Sequence, residues 1–274
     1  VMQCVKLVTD SLDEISDYLP VEIAKEFNYP DLKVAFINIH QPKDLESAER
    51  ARERLTFDEA MLLQLLLGQR RAEIVKLTTK NRTPNTPVLV KAFEAKLPFK
   101  YTLGQQAVNA EIEKDLSNNY PMHRLLQGEV GSGKTVVALR IILQIAQTGA
   151  QSALLAPTEV LATQHYLTIK KLLGELAEGG TLLGASQAIR VELLTGGTPA
   201  KKRKEILTAL ANNEIQLLIG THALISDGVE FSDLAFVIVD EQHRFGVEQR
   251  DALKLKAKHP PHVLVMTATP IPRT

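Results

Sequence analysis

A chain of 274 residues, 45% of them hydrophobic, can bury a sizeable core as one large domain or two smaller ones. Its 32 basic and 32 acidic side chains cancel, so overall basicity is excluded as a reason to bind nucleic acid and any such face must be local. A single cysteine, Cys4, excludes a disulfide framework or a cysteine-based metal site and suits a reducing cytosol, and no apolar run reaches the roughly eighteen residues of a membrane-spanning helix.

Residues 1–10 lack the charged and apolar blocks of a signal peptide and read as the interior of a longer polypeptide. From there to about residue 82 the pattern is helical with short breaks. Pro20 opens a short helix that Tyr29 and Pro30 end. A charged stretch runs from Asp44 to Arg54. Thr56-Phe57-Asp58-Glu59 has the form of a capping box and predicts a helix start, with the helix continuing from Ala60 through Leu67 toward Leu77. Met61, Leu62, Leu63, Leu65, Leu66 and Leu67 wrap more than one face of that helix, which predicts burial on several sides and a core role. Residues 81–90 are rich in Asn, Thr and Pro and read as turn chemistry. The organisation expected is a helical segment over 1–82, a linker over 83–96 and an α/β domain over 97–274.

Beyond residue 97, short apolar runs alternate with helical patterns. The runs are Arg124–Gln127, Ala153–Ala156, Val191–Leu194, Gln216–Ile219, Phe236–Val239 and Val263–Met266. Runs this apolar suit parallel strands covered on both faces, so the fold class predicted is α/β, a three-layer motor-type fold with helices above and below the sheet, which the resemblance given below implies to be a RecA-like P-loop lobe. A helix over Thr135–Gln147 closes at Gly149, and another runs from Pro199 to about Leu210. Ligands of such sheets gather at the carboxyl ends of the strands.

One motif dominates. Gly128-Glu129-Val130-Gly131-Ser132-Gly133-Lys134-Thr135 fills every fixed position of the G-x-x-x-x-G-K-[ST] phosphate-binding pattern, between an apolar run and an amphipathic stretch. Gly128, Gly131 and Gly133, with Ser132 between them, let backbone N–H groups wrap a phosphate chain. The following helix adds its positive dipole end. In such loops Lys134 reaches the β- and γ-phosphates and the Thr135 hydroxyl ligates Mg²⁺. The apolar run Phe236–Val239 then delivers Asp240 and Glu241 at its tip. Asp240 is the candidate Mg²⁺ ligand and Glu241 the candidate general base for water. A third run leads into Thr267-Ala268-Thr269-Pro270, whose hydroxyls could relay the state of the γ-phosphate.

These elements, in this order, resemble motifs I, II and III of superfamily 2 helicases and translocases. Leu97-Pro98-Phe99 with Thr102 and Gln105 is similar to the Q motif, which implies that Gln105 and Thr102 contact adenine, with Phe99 or Tyr101 nearby; Phe99 could equally be core. Within the superfamily, Ala156-Pro157-Thr158-Glu159 through His165-Tyr166, Ile219 through Leu224, Val239 through Arg250 and Met266 through Thr274 look like the RecG family of branched-DNA translocases. The Mfd family shares the Arg244-Phe245-Gly246 and Thr267–Thr274 segments and remains the alternative, as does a nucleotide- and DNA-binding module inactive in isolation. Glu129 departs from the Asp usual in RecG proteins.

The resemblance implies further roles. Thr158 and Gln164, Gly196 and Gly197, and Gly220, Thr221 and His222 would form a track for a phosphodiester strand. His243 would join the catalytic set with Lys134, Asp240 and Glu241. Gln242, Arg244, Thr267 and Thr269 would couple nucleotide state to the track. Lys201-Lys202-Arg203-Lys204 reads as a solvated helix face or a further DNA contact. The cofactors implied are ATP and Mg²⁺, and the partner is branched DNA such as forks and Holliday junctions. A monomeric, cytoplasmic, nucleoid-associated bacterial enzyme with no membrane contact is expected. The second motor lobe with its arginine finger, and a preceding wedge domain, are expected to lie outside these residues.

Overall fold

Among the described residues, six strands, all parallel, form the sheet of the larger unit. The computed structural model describes residues 16–177, 188–241 and 252–268, and the chain divides into two compact units, Val1–Glu73 and Ile74–Thr274. Among the described residues no helix is long and apolar enough to cross a membrane.

The first unit is helical. α1 (Val21–Glu26) starts at Pro20, as its fixed φ favours. α2 (Leu32–His40) is capped by Asp31, whose side chain accepts from the Lys33 N–H. α3 (Leu45–Lys76) is a single helix of 32 residues, and this corrects the helix start expected at Thr56. The true start lies at Asp44, whose Oδ1 accepts from the Ser47 N–H and hydroxyl, both at 2.7 Å. Asp58 is not part of a cap. It pairs with Arg54 one turn earlier (Nε to Oδ1 3.0 Å), which requires helix on both sides of Thr56. Arg54 is fully buried and also holds Asp17 at 2.7 Å and the Pro30 carbonyl at 3.1 Å, so the charged stretch supplies the interior of this unit.

The leucine cluster is corrected as well. Leu62, Leu63, Leu65 and Leu66 are each more than half exposed. Six apolar residues in seven positions cannot all face one packing partner on a helix of 3.6 residues per turn. α3 buries Ala51, Arg54 and Asp58 instead.

Residues 83–96 are not a linker throughout. After Pro87 the chain forms α4 (Val88–Lys96), whose Leu89, Val90 and Phe93 are buried in the core of the second unit. The boundary between units falls at Glu73, within α3, rather than at residue 82.

The second unit continues as α5 (Leu103–Leu116), β1 (His123–Gln127), α6 (Lys134–Gln147), β2 (Gln151–Leu155), α7 (Glu159–Leu173), β3 (Val191–Leu194), α8 (Ala200–Ala211), β4 (Leu217–Gly220), β5 (Leu234–Asp240) and β6 (His262–Thr267). The spatial order is β1-β6-β5-β2-β4-β3. Alternation along the strands sorts side chains to the two faces. Leu154, Phe236 and Ile238 join the core that includes α6, while Ala153, Leu155, Val237 and Val239 join the core that includes α8. β5 is buried at every position, as a central parallel strand requires.

Two buried polar groups shape the opposite, amino-terminal edge of the sheet. Gln151 donates to the carbonyls of Leu210 and Ile215 and accepts from the N–H groups of Ser232 and Asp233, joining three segments. His262 is fully buried, and its Nδ1 accepts from the Met122 N–H at 3.1 Å. Burial, then the charge of Arg82, pushes its pKa down to about 4. The folded protein therefore keeps a neutral imidazole that the unfolded chain protonates below about pH 6.5. Stability is lost as pH falls from that value toward 4. Denaturant unfolding at pH 7 and pH 5 should show a loss of about 2 kcal/mol attributable to this group. His262→Phe should remove that share of the acid sensitivity. An unchanged pH dependence in that variant would contradict this origin.

Candidate nucleotide site at the carboxyl edge of the sheet

Because all six strands are parallel, all six tips open on one edge. The spatial order then sorts the motifs. The phosphate loop follows β1, Thr267 ends β6 and Asp240 ends β5, and these are neighbours. The loops holding Thr158, Gly196–Gly197 and Thr221–His222 follow β2, β3 and β4, which form the other half.

The phosphate loop has the backbone its glycines allow. Gly131 (φ 84°) and Gly133 (φ 86°) are left-handed, where side chains are disfavoured. A Cβ on Gly133 would collide with the Gln105 amide, and one on Gly128 would lie 2.7 Å from Ser132 Oγ. Gly133 is the N-cap of α6 and no side chain caps that end, so its first N–H groups face the loop. Lys134 Nζ donates to the carbonyls of Gly128 (2.6 Å) and Glu129 (3.0 Å), which places the ammonium inside the loop. Thr135 follows in the first turn of α6.

Thr102 and Gln105 form a reciprocal cap at the start of α5, one that the sequence reading did not single out. Thr102 Oγ1 accepts from the Gln105 N–H, and Gln105 Oε1 accepts from the Thr102 N–H. Gln105 Nε2 also donates to the Ser132 carbonyl at 2.8 Å. The glutamine thus pins the phosphate loop to the head of α5. A hollow of about 240 Å³ lies here, lined by Thr102, Gln105, Val108, Ser132, Lys134 and Val137 among others. Phe99 is 46% exposed and stands outside the core.

The tip of β5 is equally specific. Asp240 is nearly buried, and its Oδ2 meets His165 Nε2 at 2.7 Å. Glu241 has φ 50°, a left-handed conformation costly for a side-chain-bearing residue. The Glu241 N–H donates to the Met266 carbonyl (2.9 Å), its Oε1 accepts from the Ala268 N–H (3.1 Å) and its Oε2 from the Thr267 hydroxyl (3.3 Å). The Gly128 N–H donates to the Thr267 carbonyl (3.3 Å). Thr267 therefore touches both the phosphate loop and Glu241. Gln242, His243, Arg244 and Thr269 lie outside the described residues.

The candidate DNA residues divide. Thr158 caps α7 by accepting from the Leu161 N–H, and Thr158, Gln164, Gly196, Gly197 and His222 are exposed. Gly220 is not on a surface track. It is buried, its carbonyl accepts from the Ala156 N–H, and a Cβ there would collide with the Leu194 carbonyl. Close packing of β4 on β3 explains this glycine. Thr221 is also buried. Sequence reasoning also missed the His165 contact with Asp240 and the acceptance by Glu159 of the Gly197 N–H at 3.3 Å. Each joins residues far apart in sequence and depends on strand order.

Residues 102–274 match the model of the DEAD/DEAH box helicase family. The chain belongs to this family. Among DEAD/DEAH box helicases it is similar to ATP-dependent DNA helicase RecG of Mycobacterium tuberculosis (strain ATCC 25618 / H37Rv), 47% identical over 276 residues that cover 100% of this chain and 37% of the relative. It is 43% identical to the RecG helicase of Bacillus subtilis (strain 168), over 97% of this chain and 37% of that one. A solved structure of RecG bound to a three-way DNA junction matches with a TM-score of 0.76 and 38% identity, covering 94% of this chain and 33% of the other. The chain thus spans little more than a third of the length of these curated relatives. The expectations of a RecG-like sequence and of a parallel RecA-like sheet preceded by a helical segment hold.

Proposed function

We propose that this chain is the first motor lobe of an ATP-dependent translocase acting on branched DNA, preceded by a helical segment that links it to a DNA-binding wedge. The observation that carries the proposal is the convergence of the phosphate loop, Asp240–Glu241 and Thr267 on three neighbouring strand tips. The residues fit the groups they would hold. Left-handed glycines, an uncapped helix end and the Lys134 ammonium suit a phosphate chain. Among the described residues no three His, Cys, Asp or Glu side chains form a metal site. The hard oxygens of Asp240 and Thr135, with phosphate oxygens and water, suit Mg²⁺. When bound, that ion would neutralise charge on the β- and γ-phosphates.

In this account Lys134 leaves the loop carbonyls for phosphate oxygens. Glu241 orients water and takes its proton. Thr267, in contact with both Glu241 and the phosphate loop, senses which state the pair is in. Thr102 and Gln105 stand beside the site for adenine. Thr158, Gln164, Gly196, Gly197 and His222 contribute a sequence-independent track for DNA. A RecG relative has been solved on a three-way DNA junction, and branched DNA is the substrate proposed for this chain too. A cytoplasmic, nucleoid-associated monomer in repair and recombination completes the proposal.

The test is ATP hydrolysis by the full-length protein with Mg²⁺ and either a three-way junction or linear duplex of equal length. Turnover stimulated more by the junction is expected. Turnover indifferent to DNA, or stimulated equally by both substrates, would overturn the branched-DNA reading.

A further inference from the structure

The seam between β5 and β2 divides the nucleotide half of the sheet edge from the other half, and one side chain reaches across it. His165 lies on α7, the helix that follows β2, yet its Nε2 stands 2.7 Å from Oδ2 of Asp240 at the tip of β5. Both side chains are largely withdrawn from solvent, at 14% and 13% exposure. A carboxylate can only accept, so Nε2 carries the proton of this bond. Ala162 and Ile169, spaced around His165 at helical intervals, are fully buried, so α7 holds the imidazole against the sheet. At its head, Thr158 caps α7 and Glu159 accepts from the Gly197 N–H.

From this geometry we infer that His165 is a positioning residue for the divalent-metal ligand Asp240. The inference rests on the nucleotide site proposed above. A strand-end aspartate can rotate about its side-chain bonds. A hydrogen bond to Oδ2 fixes the carboxylate plane and leaves Oδ1 for the metal. An imidazole can donate that bond without bringing a charge of its own, whereas Lys or Arg here would compete with the cation. Partners that orient a metal-binding carboxylate in this way typically influence metal affinity about 10–100-fold.

The experiment measures binding of a fluorescent ATP analogue to the full-length protein across a Mg²⁺ titration and in EDTA, for wild type, His165→Ala, His165→Gln and Asp240→Asn. Thermal unfolding is followed in parallel. In His165→Ala the Mg²⁺ concentration at half-effect should rise about 10-fold or more, with EDTA binding and the unfolding midpoint unchanged. His165→Gln, whose amide N–H can occupy the position of Nε2, should recover most of the loss. A wild-type Mg²⁺ requirement in His165→Ala would overturn the inference. So would an equal loss of affinity with and without Mg²⁺, or a Gln variant no better than Ala. If Asp240→Asn loses the Mg²⁺ effect while His165→Ala keeps it, only the role of His165 falls. If wild type itself shows no Mg²⁺ effect, the nucleotide site falls with it.

Discussion

Lys134→Ala in the full-length protein should lower ATP turnover by at least about 10²–10³-fold while leaving the fold intact. The ammonium sits inside the phosphate loop, 2.6 Å from the Gly128 carbonyl and 3.0 Å from the Glu129 carbonyl. Among the described residues no other cationic side chain lines the hollow beside the loop. Among the described residues its charge is therefore the positive one available to phosphate oxygens in that hollow, and charge-assisted bonds of this kind are about twice as strong as neutral ones. The structural consequence of removing it is small by comparison. The two carbonyls it satisfies lie at the partly exposed loop, where water can replace the donor. The unfolding midpoint should move little while nucleotide binding and hydrolysis collapse. Steady-state phosphate release together with a nucleotide titration checks both. Wild-type turnover with unchanged nucleotide affinity in Lys134→Ala would remove the central assignment of this site.

The phosphate loop was legible because its chemistry is local. Left-handed glycines, the lysine and the following helix are all set within eight residues, and the structure has left-handed backbone at Gly131 and Gly133. The strands were legible for a related reason. Burial on both faces of a parallel sheet demands continuous apolar runs, and β3 falls on Val191–Leu194 as the sequence indicates, with the other five strands within two residues of expectation at each end, although β1, at the sheet edge, is exposed at four of its five positions rather than covered on both faces. The helical segment was harder. Thr56-Phe57-Asp58-Glu59 carries the letters of a capping box, but a cap is a backbone conformation, and the buried Arg54–Asp58 pair holds the helix continuous through it. A true capping box, Thr102 with Gln105, lay within the stretch assigned to adenine recognition, so its local role passed unnoticed. The helix over Val88–Lys96, within the expected linker, was missed because Pro87 begins a helix as readily as it ends a loop.

What stayed hidden depends on strand order. Gly220 looks like a backbone contact for a ligand when read in line, and only the neighbouring Leu194 carbonyl shows why a side chain is excluded. His165 and Asp240 are 75 residues apart, and their contact exists because β5 lies beside β2. No periodicity or spacing in one sequence encodes that adjacency. The contact of Thr267 with Glu241 was closer to legible. Both stood at predicted strand tips, with the Thr267 hydroxyl expected to relay the state of the γ-phosphate, and their contact needed only β5 and β6 to be neighbours.

Glu241→Gln and Asp240→Asn, two single-residue changes at adjacent positions, should have different effects. In Glu241→Gln, Mg²⁺-dependent ATP binding should persist while hydrolysis falls by about 10²–10⁴-fold, the range a positioned general base contributes. The amide is nearly isosteric and cannot take the proton of water. It also tests the local wiring. Both oxygens of Glu241 accept bonds, from Ala268 N–H and from the Thr267 hydroxyl, and an amide can accept on its oxygen alone. The left-handed backbone at Glu241 is anchored separately through its own N–H to the Met266 carbonyl, so the substitution leaves the turn itself in place. Asp240→Asn acts earlier. It removes the charge of the candidate metal ligand, so the Mg²⁺-dependent part of nucleotide binding should weaken along with turnover. The check is a pair of ATP-analogue titrations, with Mg²⁺ and with EDTA, set beside phosphate release for each variant. Two variants that bind alike under both conditions would show that the carboxylates do not divide the work, and the assignment of metal to Asp240 and water to Glu241 would have to be withdrawn.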